Sequence, residues 1–185
     1  RHSGESIPQR RLMEIHHLSA DNSVLNRFLA EIRDVSIHGD SMRFRRNIER
    51  IGEVMAYELS RQLHYRDTEI QTPLGLKKST EISDPLVICS ILRAGLPLHT
   101  GFLNVFDGAE NGFVSAYRHH PNNDDYFDIK VEYQAIADIN GKTLVLVDPM
   151  LATGQSLVAV YNRLMERGTP KQIHVAVVIA APEGI

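Results

Sequence analysis

Positive charge is in short supply: 20 Lys and Arg against 23 Asp and Glu leave a formal net charge of −3. This argues against a nucleic-acid binder, because such modules present surplus cations to phosphates, so any phosphate bound here is gripped locally. Cysteine is scarcer still. Cys89 stands alone, which excludes an internal disulfide, and its place in the apolar run Leu86–Leu92 marks a small buried side chain in a reducing compartment. No apolar stretch approaches the length of a membrane span, and Arg1-His2-Ser3-Gly4-Glu5-Ser6 lacks the apolar core of a signal peptide. A cytoplasmic protein with neither membrane nor nucleic-acid partners is expected. Internal repeats, low-complexity tracts and linkers are absent, and 185 residues, 43% of them hydrophobic, suit one domain with a full core. An initiator Met is also missing, and the chain stops at Ala181-Pro182-Glu183-Gly184-Ile185 straight after a strand-like run, so a fragment or a record of ordered residues only is expected.

What is present reads first as helix. Ser19-Ala20-Asp21-Asn22 offers caps before Val24, Leu25, Phe28, Leu29 and Ile32, which recur at spacings of three and four. A second helix starts near Ser41, with Phe44, Ile48, Ile51, Met55 and Leu59 in one stripe and Arg43, Arg45, Arg46 and Arg50 crowding its beginning as a solvated basic face. Glu69–Thr72 and Lys78–Ile82 around Pro73-Leu74-Gly75 form a small hairpin. Leu86–Ile91, Gly112–Tyr117, Thr143–Val147 and Ile173–Ala180 are mostly continuous apolar runs, as expected for parallel strands covered on both faces. A helix from about Gly154 to Arg167 joins the last two, with Gly168 and Pro170 as its stop. The fold class is therefore α/β, a mostly parallel twisted sheet flanked by helices, with N-terminal helices and a small hairpin. His119–Asp128 is a long polar stretch of the kind that serves as a functional loop.

The chemistry concentrates where Val145-Leu146-Val147 runs into Asp148-Pro149-Met150-Leu151-Ala152-Thr153-Gly154-Gln155-Ser156. A strand, an acid, a tight loop and a helix start make an anion cradle, because unpaired N–H groups and the helix dipole both favour a phosphate. Gly154 permits close approach, and the Thr153 and Ser156 hydroxyls can donate further bonds. Ionised Asp148 only accepts, so it suits sugar hydroxyls. The alternative is a plain strand-to-helix turn with a capping threonine. Gly141-Lys142-Thr143 imitates the end of a P-loop, but position 136 holds no glycine and the triplet precedes its strand; no Gly-x-Gly-x-x-Gly occurs.

Asp148–Ser156 resembles the loop that binds phosphoribosyl pyrophosphate (PRPP) in type I phosphoribosyltransferases, and Pro149 in place of a second acid resembles the uracil branch. Ile91-Leu92-Arg93-Ala94-Gly95-Leu96, Tyr117-Arg118 and Ala180–Ile185 match as well, so the resemblance spans roughly Arg43 to Ile185. It implies an enzyme joining PRPP and uracil to give UMP and pyrophosphate in pyrimidine salvage, with Mg²⁺ chelated mainly by PRPP and a homodimer or higher homo-oligomer. It further implies that Met150–Ser156 hold the 5′-phosphate, that Asp148 holds the ribose hydroxyls, and that Arg93 and Arg118 face the pyrophosphate. Charge grows on that leaving group as the C1′ bond breaks, and guanidiniums aimed at it stabilise the transition state most.

Other readings stay open beside these. Arg93 could be a structural ion pair, Arg118 a surface residue, and Gly95 either an approach point for pyrophosphate or the opening of a helix. Adjacent His119 and His120 diverge and read as loop residues rather than metal ligands. A different nucleobase, a regulatory PRPP sensor and an inactive truncated chain are the competing functions. Relatives of this kind continue past Ile185 into a Gly-Asp-Ala segment that reads the uracil edge, and nothing here corresponds to it.

Overall fold

The computed structural model describes residues 13–122, 125 and 127–185. Residues 1–6, whose sequence lacks a signal-peptide core, lie outside these, as do Asn123, Asp124 and Tyr126 of the polar stretch. Among the described residues no helix is long and apolar enough to cross a membrane.

Helix α1 spans Val24–Arg33 and α2 Ser41–Ser60. The α1 cap is Ser23, whose side chain accepts from the Leu25 N–H; the expected cap at 19–22 falls one residue short, since Leu18–Ala20 form a separate 3₁₀ turn. Asp40 caps α2 by accepting from the Arg43 N–H. The buried stripe of α2 runs through Asn47, Ile48, Ile51, Gly52 and Ala56, rotated from the expected one, and leaves Phe44 40% exposed. Small residues on this face let the next helix approach: Gly52 and Gly101 meet at the crossing of α2 with α3 (Leu96–Val105), and a Cβ added to Gly52 would lie 2.8 Å from the Leu98 carbonyl oxygen.

The hairpin β1 (Tyr65–Thr72) and β2 (Gly75–Ile82) forms a sheet of its own, longer than sequence indicated. The main sheet contains β3 (Leu86–Leu92), β4 (Glu110–His119), β5 (Asp128–Ile136), β6 (Thr143–Leu151) and β7 (Gln172–Ala180), in the order β5-β4-β3-β6-β7. All neighbours are parallel except the β4–β5 pair. The antiparallel strand β5 was not anticipated. Helix α4 (Gln155–Met165) joins β6 to β7.

The sheet is covered on both sides, and alternation sorts its residues. Leu86, Ile88, Val145 and Val147 belong to a core with α1, α2 and α3; Val87, Cys89, Ile91, Leu144 and Leu146 belong to another with Val160 and Leu164 of α4. Period-two alternation in strands buried on both faces produces this division. Burial also pushes the Cys89 thiol up to about 12, which leaves it inert as a nucleophile.

Candidate active site

The sheet topology locates the site before any side chain does. From β3 the chain crosses by α3 to β4 on one side, whereas β6 pairs on the other side of β3 and departs through α4 to β7. Adjacent parallel strands whose connections leave in opposite directions open a crevice beyond their carboxyl ends. Arg93 follows β3, and Asp148 lies near the end of β6.

Strand β6 extends further than expected. Its pairing with β7 continues through Asp148, Met150 and Leu151, so Asp148–Leu151 belong to the strand and the loop proper is Ala152–Gly154. Sheet hydrogen bonds to the edge strand carry β6 past the acid, and Leu151 is buried while Met150 is 64% exposed. Pro149 and Asp148 are half-buried. Burial raises the Asp148 pKa, partly offset by the Met150 N–H, which donates to its Oδ1 at 3.3 Å. Asp148 continues the alternation of Leu144 and Leu146 towards the α4 side of the sheet.

The turn into α4 requires glycine, because Gly154 adopts φ +81°. The Thr153 hydroxyl accepts from the Gln155 N–H at 3.4 Å, and no side chain caps the helix end at Gly154. An anion facing Ala152–Ser156 would meet helix N–H groups and the positive end of the α4 dipole. Behind this turn, the Ala181 N–H donates to the Leu151 carbonyl at 2.8 Å, which ties the segment after β7 against the loop. Sequence reading had no signal for that tie.

Arg93 is exposed, its guanidinium makes no ion pair or hydrogen bond among the described residues, and the Leu92–Arg93 peptide is cis. A structural ion pair is thus not its role in this state. Gly95 caps α3, and a Cβ there would meet the Ile91 carbonyl at 2.7 Å, so the close approach it serves is to its own chain.

Arg118 stands on a ribbon. The last β4 residue paired with β3 is Ser115, opposite Leu92, and a register shift follows at Ser115/Ala116. Beyond it, residues 116–119 pair only with β5, carrying Arg118 past the end of β3. Tyr117 donates its hydroxyl to Glu132 Oε1 at 2.8 Å, which also raises the Tyr117 pKa, and the Arg118 guanidinium lies 4.7 Å from the centre of the Phe127 ring. A cleft of about 650 Å³ opens between the ribbon and α4, lined among others by Asp128, Lys130, Thr153, Gly154 and Gln155. The structure therefore places Asp148, the Ala152–Ser156 turn and the ends of β3 and β4 on one margin of the sheet.

Features elsewhere fall outside this margin. Lys142 of the P-loop mimic bonds Glu110 at 2.7 Å at the opposite ends of the strands. Arg43 pairs with Glu31 at 3.7 Å, Arg46 with Glu49 at 2.8 Å, and Arg50 lies over Phe28, so the basic start of α2 is a laced helix face. Among the described residues no group of three His, Cys, Asp or Glu is placed to hold a metal.

The uracil phosphoribosyltransferase family model matches residues 19–185. A uracil phosphoribosyltransferase of Porphyromonas gingivalis is 51% identical over 173 residues, covering 94% of this chain and 80% of the relative. Another, from Methanothermobacter thermautotrophicus, is 36% identical over 167 residues, covering 89% and 75%. Among solved structures, the AQ2163 protein from Aquifex aeolicus matches with TM-score 0.76 at 27% identity, over 93% of this chain and 77% of that one. A hypoxanthine phosphoribosyltransferase from Staphylococcus aureus, at TM-score 0.54 and 14% identity over 74% and 65%, shares the fold.

Proposed function

This chain belongs to the uracil phosphoribosyltransferase family, and from that premise we propose that it transfers the 5-phosphoribosyl group of PRPP to N1 of uracil, giving UMP and pyrophosphate. The observation that carries the reading is the crevice at the β3/β6 switch point, where an acid and a helix start share one strand-to-helix connection. The turn Ala152–Ser156, with Met150 and Leu151 leading into it, receives the 5′-phosphate through N–H groups and the Thr153 and Ser156 hydroxyls. Asp148 accepts from the ribose hydroxyls. Arg93 and Arg118 take the pyrophosphate from the adjoining strand ends.

The bond from C1′ to the pyrophosphate oxygen breaks as uracil N1 bonds to C1′; the electron pair leaves with pyrophosphate, and the proton from N1 passes to the departing pyrophosphate or to water. Guanidiniums present there gain strength as that charge develops. Mg²⁺ characteristically takes one or two carboxylates plus substrate phosphates, and the half-buried Asp148 would offer one carboxylate to an ion carried in on PRPP. When bound, the ion supplies positive charge to the pyrophosphate oxygens. A homodimer or higher homo-oligomer is part of the proposal, supported by the exposed hairpin residues Ile70, Leu74 and Leu76 and checked by sedimentation.

The experiment is a panel of nucleobases offered with PRPP and Mg²⁺, read by chromatography. UMP from uracil, and little product from hypoxanthine, is the expected outcome. Preference for a purine, or PRPP binding without transfer to any base, would place the chain among the competing readings.

A further inference from the structure

We propose that Phe127 is a positioning residue for Arg118, holding its guanidinium flat so that the N–H edges face the crevice. This inference rests on the assignment of Arg118 to the departing pyrophosphate. Beyond Ser115 the β4–β5 ribbon no longer pairs with β3, and there the Arg118 guanidinium meets the ring of Phe127. Arg118 opposes Ile129 and His119 opposes Asp128. Continuing that register sets Phe127 opposite His120, diagonal to Arg118 on the same face, within reach of long and aromatic side chains.

The contacts follow this geometry. The Arg118 guanidinium carbon is 4.7 Å from the Phe127 centroid, and the His120 ring lies 5.7 Å from Phe127 at 53°. Phe127 is half-buried, whereas Arg118 is exposed. A guanidinium laid flat on a ring keeps its in-plane donors free, which is the presentation a bidentate phosphate oxygen pair needs. An arginine already confined to one plane loses less rotamer freedom when the leaving group forms. Ring identity is therefore central: a quadrupole attracts the cation, and an aliphatic side chain of similar bulk does not.

The test is a double-mutant cycle in PRPP-dependent UMP synthesis. Phe127→Leu should lower kcat by roughly two- to fivefold, as loss of one exposed cation–π contact implies, with KM for PRPP nearly unchanged. Phe127→Tyr should restore wild-type turnover. In an Arg118→Ala background, Phe127→Leu should have no further effect, because its role passes through Arg118. An equal loss from Phe127→Leu with and without Arg118, or a Tyr variant as slow as Leu, would overturn the positioning role while leaving the arginine's assignment intact. Full turnover in Arg118→Ala would overturn that assignment and the positioning role together.

Discussion

At the residue scale, some groups sit where the environment serves function better than it serves stability. Asp148 is half-buried beside a single N–H donor, and burial raises its pKa. A raised carboxyl contributes its stability below the unfolded pKa and loses it as pH rises through the folded one, so at neutral pH the ionised acid weakens the fold. Asp148→Asn should therefore melt higher than wild type at neutral pH, with the difference vanishing in acid, while PRPP use falls about ten- to a hundredfold for the loss of a charge-assisted bond of about 1.5–3 kcal/mol. Calorimetry and steady-state kinetics on the same preparation check both halves; a variant that melts lower at neutral pH, or keeps wild-type PRPP kinetics, contradicts them. Arg118 differs because its bonds strengthen during reaction. Arg118→Ala should lower turnover more than it lowers PRPP affinity, and a rise confined to the Michaelis constant would make it a ground-state binder.

Elements carry the site by how closely they pack. The crossing of α2 over α3 depends on Gly52 and Gly101, and a Cβ on Gly101 would press on the Glu49 carbonyl oxygen and lie 2.9 Å from the Gly52 Cα. Overpacking of this kind against backbone costs about 1–3 kcal/mol, so Gly101→Ala should lower the urea midpoint measurably, and an unchanged midpoint would mean the helices separate freely. Much of this level was legible in sequence. Strands covered on both faces appear as continuous apolar runs, and Asp148 through Ser156 marked the site because a strand, an acid and a helix start follow one another in the chain. Strand β5 was missed although Ile129 and Val131 alternate with Lys130 and Glu132, since an edge strand after a polar stretch has only that faint period. The extension of β6 to Leu151 and the seat of Phe127 under Arg118 were illegible for a stronger reason. Each depends on strand pairing that the local pattern does not show, with β7 in one case and across the ribbon in the other.

For the whole molecule, Asp84 ties separate parts together. It precedes β3, is buried, accepts from the His64 N–H at the foot of the hairpin, lies 3.1 Å from the His64 ring and 3.9 Å from Lys171 before β7. Burial alone pushes its pKa up, but the His64 hydrogen bonds and the charges of His64 and Lys171 outweigh this and hold it below the usual value. A lowered carboxyl contributes stability above the unfolded pKa and loses it as pH falls through the folded one. Asp84→Asn should consequently be less stable than wild type at neutral pH, with the gap closing in acid; urea midpoints showing a constant gap would contradict this. The central claim is that one margin of the sheet, where β3, β4 and β6 end, grips PRPP. The most direct measurement is hydrogen exchange across the whole chain with and without PRPP and Mg²⁺. Slowed exchange confined to Leu92–Gly95, the Ala152–Ser156 turn and the β4–β5 ribbon is the predicted result; unchanged exchange at those segments, or protection centred on α2 or the hairpin, would contradict it.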